Sequence, residues 1–348
     1  MEKDFVLACP VPITERKNIV MGHGSGGKLS AQLVRGLFLP AFDNEYLRKL
    51  DDQAVFQAGT ARLAFTTDSF VVTPLFFPGG NIGELAVNGT VNDLAMSGAR
   101  PLFLSAAFIM EEGLPLDELS LIVESMARAA REAGVSIVTG DTKVVNRGSA
   151  DKLFITTSGV GLVPEGVAIS ASNVRPGDDV IVSGSIADHG MAVMSVREGM
   201  EFEGAILSDT APLYSLVAAM TGAGEVHALR DPTRGGLATS LCEIASSSSI
   251  GIEVDSSAIL VREDVKGACE ILGLDPLFVA NEGKLVAFVA HESCAAVLEA
   301  MRRTTHGADA RVVGRAVNEH RGMVLLKTDI GGTRILDLPF TEQLPRIC

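Results

Sequence analysis

Apolar residues along this chain alternate between helical and strand spacing from one end to the other. Leu29, Leu33, Val34 and Leu37 recur at the three-to-four-residue interval of a helix that Pro40 is expected to end. Strand-like runs follow at 54–57 and 63–67; Asp51 and Asp52 precede the first and Asp68 follows the second. A helix is expected to open at Asn81, which can cap while Glu84 reaches back, with Leu85, Val87, Val91, Leu94 and Ala95 inward. Its other face carries Glu84, Asn88 and Asn92, with Asp93 beside them. A second helix is predicted over 116–133, with Leu119, Ile122, Val123, Met126 and Ala130 at core spacing and Gly134 as its stop. The strand 135–139 then delivers Gly140, Asp141, Thr142 and Lys143 at its carboxyl end, before a long strand pattern over 153–163.

Turn chemistry without apolar period at 173–179 marks a domain boundary. Beyond it the pattern predicts strands at 180–183, 250–254, 284–290 and 310–317, and helices near 189–199, 211–221, 236–247, 263–272 and 293–304. The implied organisation is an amino-terminal segment (1–40), a first α+β domain (41–170), a second (171–325) and a polar tail (326–348).

Composition narrows the partners. A chain of 348 residues, 47% hydrophobic, is long enough for two cores. Its net charge of -14, without a Lys/Arg run, disfavours nucleic acid and anionic lipid. With no Trp and two Tyr there is little aromatic surface for stacking bases. The start Met1-Glu2-Lys3-Asp4 lacks a leader pattern, and apolar stretches such as 102–110, broken by Ser105, are too short to span a bilayer. A cytoplasmic protein is expected. Cysteines at 9, 242, 269, 294 and 348 form no C-x-x-C pair, so neither a disulfide framework nor a zinc site is indicated, and four are expected as buried small apolar side chains. The fifth, Cys348, follows Pro345-Arg346-Ile347, where a thiol is either incidental or a swinging arm.

Candidate chemistry gathers at strand ends. The loop Gly22-His23-Gly24-Ser25-Gly26-Gly27-Lys28 nearly matches a phosphate-binding pattern, but Leu29 stands where a hydroxyl should ligate magnesium. Gly26 and Gly27 still let backbone N–H groups approach phosphate, with Lys28 as a point charge; a flexible turn is the competing reading. A nucleotide site without that hydroxyl must hold Mg2+ through carboxylates, for which Asp51, Asp52, Asp68, Asp93 and Asp141 are candidates, each able to be a cap instead. Lys143 can contact phosphate or act as a base, and Glu282 is a second base candidate; either can equally be half of a structural ion pair. Arg230-Asp231-Pro232-Thr233-Arg234-Gly235-Gly236 could clamp an anion, or its Arg residues could pair with the acidic surface. His23, His189 and His227 share no helix face and read as solvated or hydrogen-bonded loop residues.

The ordered set of motifs resembles the HypE family of hydrogenase maturation proteins, carbamoyl dehydratases, over essentially the whole chain. It comprises the Gly-rich loop, Thr67-Asp68-Ser69, 74–80, Gly89 to Ala95, Gly140 to Val145, Arg230 to Gly236, Ala280-Asn281-Glu282-Gly283-Lys284 and the ending Pro345-Arg346-Ile347-Cys348. The family is similar to the wider group of aminoimidazole ribonucleotide (AIR) synthetase, selenophosphate synthetase and thiamine-phosphate kinase. Cys9 followed by Pro10-Val11-Pro12 argues against the selenophosphate branch. The resemblance implies a two-domain α+β fold of the PurM type, amino-terminal domains pairing across a homodimer with ATP near the seam, and a mobile tail. It further implies that a partner carbamoyltransferase, HypF, loads a carboxamide on Cys348, which ATP-dependent dehydration converts to thiocyanate for delivery to a HypC–HypD pair. On this reading Asp51, Asp68, Asp93 and Asp141 serve magnesium and phosphates. Gly26, Gly27, Lys28 and Asn92 support the nucleotide, and Lys143 and Glu282 relay protons. A synthetase or kinase of a small metabolite, and a scaffold using Cys348 as a soft ligand, are the alternatives.

Overall fold

The computed structural model describes residues 18–24, 26–200, 205–339, 344 and 346–348; Cys9, Ser25 and Pro345, on which readings above rest, lie outside them. Helix α1 (Lys28–Leu33) continues through a π turn (Val34–Phe38) into α2 (Leu39–Phe42). Pro40 therefore does not end it. Pro40 sits at the start of α2, directly after the π turn.

The first domain continues with β1 (Ala54–Ala58), β2 (Ala61–Phe70), the short pair β3 (Phe76–Phe77) and β4 (Gly80–Asn81), and α3 (Ile82–Ala95). Asp68 lies inside β2 rather than after a strand. Asn81 caps α3, its Oδ1 accepting from the N–H groups of Gly83 at 2.8 Å and Glu84 at 3.4 Å. Helix α3 is buried nearly all round, so its expected polar face, Asn88 and Asn92 included, is interior. Next come β5 (Arg100–Glu111), α4 (Leu116–Ala133), β6 (Ser136–Val145) and β7 (Leu153–Leu162). Gly134 ends α4 at φ +70°, as its position predicts. Val123 of α4, expected in the core, is exposed.

These strands form a sheet in the order β1-β2-β7-β5-β6, with β5 and β6 parallel and the other neighbours antiparallel. Helices α3 and α4 cover one face. Strand β6 runs straight through Gly140, Asp141, Thr142 and Lys143, which were expected beyond a strand end, and almost all of it is exposed.

The second domain contains β8 (Asp179–Val182), α5 (Asp188–Arg197), α6 (Tyr214–Ala223), β9 (Val226–Arg230), α7 (Gly236–Ser248) and β10 (Gly251–Asp255). It goes on with α8 (Glu263–Leu272), β11 (Val286–Val289), α9 (His291–Arg302), β12 (Arg311–Val317), β13 (Val324–Lys327) and β14 (Thr333–Leu336). Its sheet runs β14-β13-β10-β12-β8-β11-β9. Pairing of Val324 with Leu336 draws residues expected in the free tail into this sheet.

One apolar cluster joins the domains. Phe70, Ile82 and Val91 pack in it with Met191, Val193 and Val279 of the second domain and with Leu344 and Ile347 of the tail. Leu344 and Ile347 of the tail are thus docked in this structure. Asn92 ties the same seam, donating to the carbonyls of Ala211 (3.0 Å) and Glu282 (3.1 Å) and accepting from Leu213 N–H at 2.8 Å. Cys269 and Cys294 are buried and Cys242 is half-buried, and burial lifts the Cys242 and Cys294 thiols to about 12, as befits inert side chains. Among the described residues no helix is long and apolar enough to cross a membrane.

Candidate active site

Five acids from separate elements converge where the domains meet: Asp52 ahead of β1, Asp68 on β2, Asp93 on α3, Asp231 just past β9, and Glu282 ahead of β11. Thr66 Oγ1 steadies Asp93 Oδ2 at 2.8 Å, and Asp68 Oδ1 accepts from Ser69 N–H at 2.8 Å. Arg230 reaches Asp52 at 3.2 Å and Glu243 at 2.6 Å, joining the two domains through charge.

Burial raises every one of these acids, and repulsion from neighbouring acids adds to it for all but Asp68. Burial lifts Asp52 to about 8 despite Arg230, and Asp231 to about 6. Asp93 stands well above its ordinary value through burial and the charges of Asp231, Asp68 and Asp52. Asp68 is raised by burial against the opposing charge of Arg234. Glu282 is raised well above its ordinary value by burial, then by Asp231, Asp209 and Asp68, and its buried Oε1 has no hydrogen-bond partner. Such a set is poised to take a cationic or proton-donating ligand.

Cys348 lies at the edge of this cluster. With Arg234, Ser69, Val71, Ile347 and Gly24 it lines a cavity of about 670 Å3. The negative charge of Cys348 is the leading cause that raises Arg234, followed, against burial, by Asp68, Glu282 and Asp93. One guanidinium is therefore coupled by charge both to the tail cysteine, with which it lines a cavity, and to the acids.

Other predicted residues stand elsewhere. Asp51 accepts from Ser170 Oγ at 3.0 Å and lines a separate cavity with Tyr46, Gln53 and Arg62. Asp141 and Lys143 are exposed on β6 and pair with each other at 2.7 Å, outside the cluster within one chain; successive strand residues alternate faces, so these two share one. Lys28 bonds Asp337 at 2.6 Å and its N–H donates to Pro339 O at 3.0 Å, while Gly26 N–H donates to Ser30 Oγ at 2.9 Å. The Gly-rich loop thus spends these donors on the chain itself. A Cβ on Gly27 would lie 2.4 Å from Pro339 O, so glycine serves close packing there. Asn92 spends its amide on the seam and is a clamp rather than a nucleotide contact. Of the remaining acids, Asp231 was marked only as part of the run from Arg230 to Gly236, and Asp209 carried no periodic or motif signal. His189, expected in a loop, is fully buried on α5.

A two-domain α+β chain with acids gathered at the seam of two mixed sheets defines the AIR synthase-related class. Residues 50–163 match the AIR synthase related protein, N-terminal domain, and residues 175–327 match its C-terminal domain. Carbamoyl dehydratase HypE of Rhizobium leguminosarum bv. viciae is 55% identical over 332 residues, 95% of each chain. A HypE solved in complex with ATP aligns at 48% identity and TM-score 0.81 over 95% of this chain and 100% of that one. The HypE of a HypE–HypF complex aligns at 50% identity and TM-score 0.84 over 88% and 99%. The chain belongs to the HypE family of carbamoyl dehydratases.

Proposed function

We propose that this protein is the ATP-dependent carbamoyl dehydratase of nickel-iron hydrogenase maturation, acting on a carboxamide carried by the sulfur of Cys348. The chemistry takes S–C(=O)–NH2 to S–C≡N by loss of water, with ATP hydrolysed to ADP and phosphate. The observation that carries the reading is the cavity that Arg234 and Cys348 line together, with Arg234 also held charged by Asp68, Glu282 and Asp93, in a chain of this family.

The residues fit the ligands the reading requires. All the clustered donors are carboxylate oxygens, the hard donors Mg2+ prefers. Among the described residues no three such side chains converge on a point that would hold an ion alone. Mg2+ that takes one or two carboxylates and completes its shell with phosphates and water suits that spacing. Asp68 and Asp93, with Asp52, are the ligands we assign; Asp51, in a cavity apart, and Asp141, exposed on β6, are not among them within one chain. Bound ATP supplies the phosphoryl group that makes an amide oxygen able to leave.

The chain's own residues do the rest. The docked tail holds the sulfur and its carboxamide beside Arg234, whose charge favours electron density building on the amide oxygen. Glu282, with its unpartnered oxygen, is placed to take a proton from the amide nitrogen once a bound cation lowers its pKa.

Lys143 and Asp141 are assigned to the same site through a second copy. Phe65, Phe103 and Ile109 are exposed and share one face of the sheet with Asp141 and Lys143, the partners of Ala107 and Ile109, and covering them with a like face gives the homodimer. In it, β6 of one copy would present Lys143 to the acids of the other. HypF is the proposed carbamoyl donor, as one relative is solved in complex with HypF, and a HypC–HypD pair the proposed acceptor.

The test is the mass of the Cys348 peptide after carbamoylation by the partner, with and without Mg-ATP. Loss of one water only with Mg-ATP is the expected result. A carboxamide that survives bound Mg-ATP overturns the reading.

A further inference from the structure

The tail runs antiparallel along residues 71–73: Val71 N–H donates to Cys348 O at 3.0 Å, and Thr73 N–H to Arg346 O at 3.3 Å. Alternation then sends Ile347 into the core, only 2% exposed, and turns its carbonyl away from strand 71–73. That carbonyl would be orphaned. His189 Nε2, on α5, meets it at 2.8 Å. A carbonyl only accepts, so Nε2 carries the proton and Nδ1 is free to accept from Ser208 Oγ at 2.8 Å. The ring is wedged edge-on to Phe77 with centroids 5.3 Å apart.

Arg197, at the other end of α5, closes the same seam. Its Nη2 donates to Arg346 O at 2.8 Å and its Nε to Thr73 O at 3.0 Å, so one guanidinium staples tail and strand. The contacts from the first domain come from strand 71–73 itself and from Asp151, which pairs with the Arg346 side chain. Among the described residues, the second domain's hydrogen bonds to the carbonyls of Arg346 and Ile347 come from α5, and Arg234 adds its charge beside Cys348.

We propose that His189 and Arg197 are positioning residues that latch the tail inward and so divide the protein between two tasks, receiving the carboxamide outside and dehydrating it inside. This rests on the dehydratase reading above. The latch also reaches the base. Ser208, held by His189, adjoins Asp209, whose Oδ1 accepts the N–H of Glu282 at 3.1 Å. Docking of the tail and placement of Glu282 thus share one hydrogen-bonded loop. Releasing the tail strands a buried imidazole N–H, and an unmade buried bond costs more than a satisfied one contributes.

The experiment measures three quantities on His189→Ala, His189→Gln and Arg197→Ala full-length protein: carbamoylation by HypF, ATP-driven water loss from the Cys348 peptide, and protease cleavage of the tail with Mg-ATP present. The expected result is water loss about tenfold slower in His189→Ala, carbamoylation unchanged or faster, and faster tail cleavage. His189→Gln, whose amide can donate to Ile347 O, should recover most of the loss. A merely structural histidine would depress both half-reactions together, and that result, or unchanged tail cleavage, overturns the latch. Should His189→Ala not fold, Arg197→Ala at the half-exposed rim decides by the same readings. If wild-type protein loses no water, the dehydratase reading fails, and tail cleavage alone then decides the latch.

Discussion

At the scale of single residues, Glu282 and His189 are both buried and titratable, and their environments act in opposite directions. Burial raises the carboxyl and lowers the imidazole, because the charged form is disfavoured in each. Glu282→Gln should cut water loss by about 10²-fold or more, the usual worth of a positioned acid–base group, while nucleotide affinity holds; single-turnover kinetics beside a binding titration separates the two. For His189 the sign follows from its depressed pKa. The docked, neutral ring binds fewer protons than an exposed one, so its contribution is complete above about 6.5 and is lost as pH falls below that value. Asp209 and the hydrogen bond to Ile347 itself oppose this by raising the imidazole, and burial outweighs both. Tail cleavage should therefore quicken between pH 7.5 and 5.5, and lose that dependence in His189→Gln. Much of the residue chemistry was legible: Asp68, Asp93 and Glu282 stand out as acids beside apolar runs, and Cys348 by its company. His189 was not, because a histidine in a helix without a second one on its face carries no local mark of what it will touch 158 residues away.

At the scale of elements, long periodic segments were read well and short or continuous ones poorly. Helix α4 could be placed with its Gly134 stop because about five turns of amphipathic spacing and a left-handed glycine are local facts. Strand β5 is apolar enough to have been weighed only as a membrane span, since apolar residues stand on both its faces, Leu104 and Ala106 on the covered one and Phe103 and Ile109 on the exposed one. Strands β9, β13 and β14, four or five residues each, are too short for a period to declare itself. The packing of α3 on α4 offers a sharp test. A Cβ on Gly83 would lie 2.4 Å from the carbonyl of Ile122, a backbone atom that cannot swing aside. Gly83→Ala should cost about 1–3 kcal/mol, read from the denaturation midpoint at unchanged slope.

At the scale of the whole molecule, the seam between domains is the working part. Asp52 comes from the first domain and Arg230 and Asp231 from the second, so repelling acids are held together by the packing of two cores. A cation that relieves them should stabilise the assembly. Mg-ATP at about 100 times its Kd is expected to add about 2.7 kcal/mol, seen as a raised unfolding temperature that a chelator reverses. The homodimer makes a separate prediction. Lys143→Ala and Asp93→Asn, each inactive alone, should recover part of the water-loss activity when mixed under subunit exchange, because one site of the mixed dimer is intact. No recovery, with exchange verified by mass, would assign both residues to a single chain.

The sequence by itself determined the alternating elements, the division into two α+β domains, the family resemblance and most of the acids, because these depend on spacing within a few residues or on motifs that survive in order. Only the tertiary structure decided which acids meet, that Asn92 and the glycine loop serve packing, and that the tail is docked. Those outcomes turn on contacts between residues 100 or more positions apart, such as Asn92 with Leu213 and His189 with Ile347. No local pattern records them, since they form only when both cores have closed on the same seam.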